Sequence, residues 1–254
     1  MRRNRDAVQS LKPYFGNVET DPGEKDRYGA ALHSAALGRP YTQLSFHAFT
    51  ENEQYAYWKA VDRSGLLILK GKTLDEQTGF SWLSPAPLNF LDQVRNEASY
   101  ATIYCLVGTS AWMQPGSEPP AHAVVSKMIW QLLERKPDLV GNPDRLGDVR
   151  NRIQMQSWRH PIPKEPCGLL LEMLSAVPKA YIVIDRIDRA DCDPVAFVNE
   201  LLRVIERCPT IVKIFVVLGE SFDSGFDMGA LDLTGVGDKC FVVTMDQELR
   251  RPSA

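Results

Sequence analysis

The chain has 254 residues, 44% of them hydrophobic and 24% charged, and Lys+Arg 29 against Asp+Glu 32 leave a formal net charge of -3. That length suits one large domain, or one domain with an extension, and can bury a core without a disulfide framework or a structural metal. The balanced charge excludes a basic nucleic-acid footprint. No run approaches the roughly 18 apolar residues of a membrane span, and the basic start Met1-Arg2-Arg3-Asn4-Arg5 lacks the apolar core of a signal peptide. A cytoplasmic protein is expected.

Residues 1–50 mix Gly, Pro and charge, as in Thr20-Asp21-Pro22-Gly23-Glu24-Lys25-Asp26, and read as a loosely structured extension with one short helix near Val8–Leu11. A linker helix is predicted over 51–63, with Tyr57, Trp58 and Val61 turned inward. Residues 64–246 then alternate apolar runs with helical stripes, and 247–254 form a tail. The runs are Leu66–Leu69, Ala101–Val107, Ala180–Ile184, Ile211–Leu218 and the weaker Cys240–Val243. Runs apolar on both faces are the mark of parallel strands covered by helices. Between them, Ser84 is placed to cap a helix with Leu88, Leu91 and Val94 inward. His122–Lys136 carries a stripe from Val124 to Leu133, Leu169–Leu174 is a shorter helix, and Asp193 caps one that starts at Pro194 and stops at Cys208-Pro209. The expected fold is α/β, a three-layer domain around a mainly parallel five-stranded sheet.

The five cysteines form no C-x-x-C pair and the four histidines are dispersed. Both read as unassembled residues of a reduced protein, not as metal ligands. Arg145, Arg150 and Arg152 alternate with Asp144 and Asp148 as a solvated helix face, and Gly235-Val236-Gly237 reads as a turn.

In an open parallel sheet, ligands sit at the carboxyl ends of the strands. Two segments there carry candidate chemistry: Lys70-Gly71-Lys72-Thr73-Leu74-Asp75-Glu76-Gln77-Thr78 after the first strand, and Asp185-Arg186-Ile187-Asp188-Arg189 after the third. Trp58 followed by these two segments, together with Ile129-Trp130-Gln131-Leu132-Leu133 and Pro137-Asp138-Leu139, resembles the P-loop NTPase module of fungal NACHT-type STAND signalling proteins over residues 51–220.

The resemblance implies a phosphate loop after the first strand, and Leu69 and Ile184 on neighbouring parallel strands. Aligned without gaps, Gly71 falls on the first loop glycine and Thr78 on the Mg-binding hydroxyl, and Lys72 is a substitute cation. Leu74 and Glu76 replace later glycines, however, and Gln77 replaces the lysine that should reach the β and γ phosphates. Asp185 and Asp188 fall on the acidic positions that serve Mg²⁺, but Arg189 replaces the glutamate that would activate water, and Gly219-Glu220-Ser221 replaces an arginine after the fourth strand. Read simply as residues, the two aspartates cap a helix or pair with Arg186 or Arg189.

The resemblance therefore implies a degenerate STAND-like domain acting on other proteins, or by self-association, and not an efficient NTPase; it expects no cofactor, nucleic acid or membrane. The alternative is a weak Mg-ATP or Mg-GTP switch built on Lys72, Thr78 and Asp185. In that family such a domain lies between an effector domain and repeats, so the chain is expected to be a remnant or an excerpt of a longer architecture.

Overall fold

A computed structural model describes residues 2–16, 23–37, 43–72, 81–95, 97, 100–107, 119–220 and 226–246. Five strands, β1 (Gly65–Lys72), β2 (Ala101–Leu106), β3 (Lys179–Asp185), β4 (Ile211–Glu220) and β5 (Cys240–Thr244), form one sheet in the order β2-β3-β4-β1-β5. Every neighbouring pair is parallel. Each apolar run of the sequence is a strand because each is covered on both sides, so neither face has to be polar.

Alternation along the strands sorts the side chains into two cores. Leu66, Ile68, Ile182, Ile184, Ile214 and Val216 face one layer, made of α1 (Arg2–Phe15), α6 (Ala121–Arg135), α7 (Pro143–Gln154), α8 (Lys164–Leu174) and α9 (Pro194–Arg207). Leu67, Leu69, Val183, Phe215 and Val217 face the other, made of α2 (Glu24–Ala36), α3 (Phe46–Thr50), α4 (Glu53–Ala60) and α5 (Pro85–Val94). The first core is largely aliphatic. The second is rich in rings, with Trp58, Phe90, Tyr181 and Phe215 in mutual contact. Helices on both faces of a five-stranded parallel sheet make this a three-layer α/β domain. No helix among the described residues is long and apolar enough to cross a membrane.

Four details differ from the sequence reading. Residues 1–50 hold helices where a loose extension is expected: Val8 and Leu11 of α1, and Tyr28 and Leu32 of α2, are buried at helical spacing. In α4, Tyr55 replaces Tyr57 on the inner face. Tyr55 shares that face with Trp58, three residues on, whereas Tyr57 is 54% exposed. Ser84 precedes α5 but its side chain caps nothing there, since its backbone is already helical (φ -60, ψ -20). Finally, Leu69 and Ile184 are not on neighbouring strands. β4 runs between β1 and β3, which separates their carboxyl ends by roughly 9–10 Å instead of one strand spacing.

Candidate functional site

The carboxyl end of β1 is filled by the chain itself. Gly71 lies in the register of β1 opposite Gly219 of β4. A Cβ at Gly71 would stand 2.5 Å from the Met245 carbonyl oxygen and 3.1 Å from the Trp82 ring. The Met245 N–H donates to the Lys70 carbonyl at 2.9 Å, which carries the β1–β5 pairing past the last strand residue. The Trp82 indole N–H donates to the Lys72 carbonyl at 2.9 Å. Gly71 is thus needed for the close approach of the segment leaving β5. Thr78 lies outside the described residues, as do Leu74, Glu76, Gln77 and Ser221.

Ser84, directly before α5 at Pro85, lies beside Asp185, and Leu83 before it is fully buried in the ring-rich core.

At the end of β3 the polar residues take separate partners. Asp185 continues the Tyr181, Val183 face and is fully buried. It accepts a hydrogen bond from the Tyr28 hydroxyl of α2, and Ser84 also bonds to it. Its Oδ1 has no hydrogen-bond partner. Burial pushes the carboxyl up from 3.8 to about 6, with the Tyr28 and Ser84 hydrogen bonds opposing. Two more contacts fasten α2 over this edge. Glu24 forms a buried ion pair with Lys127 of α6, and Lys25 pairs with Asp92 of α5.

Arg186 leaves β3 in the left-handed conformation at φ 63, the one non-glycine residue with positive φ among those described, which is a strained geometry for a side chain of its size. The turn carries the guanidinium across the carboxyl end of β4, against Gly219. There Nη2 donates to Asp188 Oδ2 at 2.7 Å and Nε reaches both carboxylate oxygens at 3.0 and 3.1 Å. Asp188 also accepts the Gly219 N–H at 3.0 Å. A Cβ at position 219 would come within 2.9 Å of the Arg186 Cζ, so a larger residue there displaces the guanidinium. Among the described residues, no group of three His, Cys, Asp or Glu side chains is placed to hold a metal ion.

Asp185 and Asp188 therefore do not converge on one point, as a shared metal would require. Gly71 abuts a carbonyl oxygen, which repels phosphate. The described residues do not match a magnesium triphosphate.

Beside the Arg186–Asp188 pair lies a cavity of about 720 Å³. Its walls come from the ends of β3 and β4, the start of α6 at Pro120 and Ala121, the start of α9 at Pro194, and the turn around Arg159 and His160. The sequence pointed to the segments after β3 and β4 in its wall but not to those around Pro120 and Arg159, which come from distant parts of the chain.

No protein-family model matches the sequence, and no curated protein matches it. Among solved structures, the ORC2 protein of Aeropyrum pernix in ADPNP–ADP complexes is similar at 11% identity and a TM-score of 0.38, over 92% of this chain and 51% of that one. Drosophila ORC bound to DNA is similar at 10% identity and a TM-score of 0.38, over 97% and 33%. Drosophila ORC bound to poly(dA/dT) DNA and Cdc6 is similar at 8% identity and a TM-score of 0.36, over 98% and 32%. The chain thus spans between about a third and about half of the length of these structures. At this faintness the fold rests on the strand order and the helical layers themselves.

Proposed function

We propose that the chain is a catalytically impaired STAND/NACHT-like P-loop domain that serves as an interaction or regulatory module in intracellular signalling. The observation that carries this reading is the seat of Asp185. The carboxylate in the position that would serve Mg²⁺ is buried beneath α2 and takes its proton donors from Tyr28 and Ser84 of its own chain. A metal would have to displace Tyr28 and, with it, a helix held by a buried ion pair. The β5 exit packed on Gly71 supports the same reading. In such a module the α2 seal replaces the bound nucleotide as the element that holds the carboxyl edge of the sheet together, and the partners are other proteins.

A second reading, a weak Mg-ATP or Mg-GTP switch, is favoured by one atom, the unpartnered Oδ1 of Asp185. Thermal melts with and without millimolar Mg-ATP or Mg-GTP separate the two. A ligand at 100 times its dissociation constant stabilises a fold by about 2.7 kcal/mol. The impaired domain shows no shift; a clear shift that disappears in Asp185→Ala establishes the switch instead.

A further inference from the structure

We propose that the open outer edge of β5 pairs two copies of this chain, antiparallel and about a two-fold axis at Val242. β5 is the last strand of the sheet and pairs only with β1. The Met245 N–H donates to the Lys70 carbonyl of β1 at 2.9 Å, and the direction of backbone hydrogen bonding alternates along a strand. Residues 241, 243 and 245 therefore address β1, while Cys240, Val242 and Thr244 turn their N–H and C=O groups outward. No described residue bonds to those outward groups.

The edge at β2 is treated differently. There the Gln131 side chain of α6 stands in for a neighbouring strand: it accepts the Tyr104 N–H at 2.9 Å and donates to the Tyr104 carbonyl at 2.7 Å. Charged residues and proline are the other usual guards of an edge. The strand Cys240-Phe241-Val242-Val243-Thr244 contains neither. Phe241 and Val243 lie in the ring-rich core, and Cys240 and Val242 pack, half-buried, against the aliphatic one. Tyr57 of α4, itself more than half exposed, lies against Phe241 with the ring centroids 5.6 Å apart, so apolar surface continues beside the strand. An unguarded apolar edge is a template for another strand.

Charge selects a second copy as that strand. Lys239 immediately precedes β5, and Asp246 follows it by two residues. Neither has a side-chain partner among the described residues. In the two-fold antiparallel register Val242 faces its own copy, and Cys240 faces Thr244 of its partner. Lys239 then stands beside Asp246 of the partner, and the same pair recurs at the other end of the strand. Asp238, next to that contact in sequence, is already held by Arg63 at 2.6 Å. Two copies aligned in parallel would instead set lysine on lysine and aspartate on aspartate. The two-fold closes the assembly at a dimer. Because the contact uses the β5 edge, it stands whether or not the carboxyl end of β1 takes a nucleotide.

The test follows sedimentation of the full chain at low salt over a range of concentrations. A reversible monomer–dimer equilibrium in the micromolar range is expected, as suits a small interface. Lys239→Glu and Asp246→Lys should each weaken dimerisation about fivefold or more, because each sets like charges together at both ends of the strand. Combined in one chain they should restore it, since the pair is then reversed. Val242→Pro removes an outward N–H and no bond to β1, and should abolish the dimer. If Val242→Pro fails to fold by circular dichroism, the charge variants decide. Hydrogen exchange supplies a second readout: the Val242 and Thr244 amides should exchange freely in the dilute chain and become protected as the dimer forms. A chain that stays monomeric overturns the proposal, and protection of those amides in the monomer would then show the edge covered by the chain itself. A dimer indifferent to both single reversals, or not restored by the double change, overturns it as well.

Discussion

Asp185 and Asp188 leave the same strand end and are held in opposite ways. Asp185 is sealed under α2 with the Tyr28 hydroxyl on one oxygen and no partner on the other, and burial raises its proton affinity. Asp188 lies beyond the strand end, where a guanidinium and a backbone N–H receive it as a charge. The difference follows from one residue. Arg186 in the left-handed conformation breaks the strand alternation between them, and the chain then enters the 3-10 turn Ile187–Arg189 toward α9. A strand end that would gather two carboxylates around one metal instead disperses them. One seat is closed and neutral, and the other is ionic and opens on a cavity.

The comparison is broken most severely at the ionic seat. Asp188→Ala would leave the Arg186 charge buried and without its partner, and removal of one member of a buried pair costs about 3–5 kcal/mol. Urea unfolding should show a loss of that size. A loss below about 1 kcal/mol would mean that the pair is solvated and that the two aspartates are less different than their geometry indicates.

The neutral seat is tested by pH. The folded carboxyl of Asp185 sits near 6, above its ordinary 3.8. The native state therefore binds the proton more tightly, and stability from this group is complete below about pH 4 and lost as pH rises through 6. At about 1.4 kcal/mol per unit the span is on the order of 3 kcal/mol. Asn carries no such proton. The stability of Asp185→Asn relative to the unmodified chain should therefore rise by 2–3 kcal/mol, to about that order, between pH 4 and pH 7.5. A flat difference across that range would show a carboxylate that is already ionised and hydrated, open to a metal.

Much of this was legible in advance, for reasons that differ by region. The strands were readable because burial on both faces leaves no polar residue inside Leu66–Leu69 or Ile182–Ile184. The stripes of α6 and α9 were readable because each is wide. In α1 and α2 the stripe is one residue wide, Val8, Leu11 and Phe15, then Tyr28 and Leu32, and the polar residues between them hide it. The positions of Asp185 and Asp188 were readable from strand position. Their partners were less so. The pairing of Asp188 with Arg186 is local and was among the alternatives, whereas Tyr28 approaches Asp185 across 157 residues, a separation that no spacing rule spans. Ser84 was read as a helix cap from its place before Pro85, and its helical backbone is what keeps its side chain from capping.

The smallest effect falls on Gly219, and it separates strain from charge. A Cβ added there would come within 2.9 Å of Cζ and 3.0 Å of Nε and Nη2 of Arg186. An arginine tip normally swings aside from such a contact. This one is pinned by Asp188, so the guanidinium must shift against its own ion pair, at about 1–2 kcal/mol, in the range of overpacked cores. Unfolding of Gly219→Ala at neutral pH should show that loss, and in Gly219→Ala/Asp188→Ala the two losses should fall short of additivity. With Asp188 gone, the guanidinium is free to move and the extra methyl meets little resistance. Strict additivity would mean that the glycine is required by the strand backbone and not by the arginine, and the two seats at the end of β3 would then be set independently.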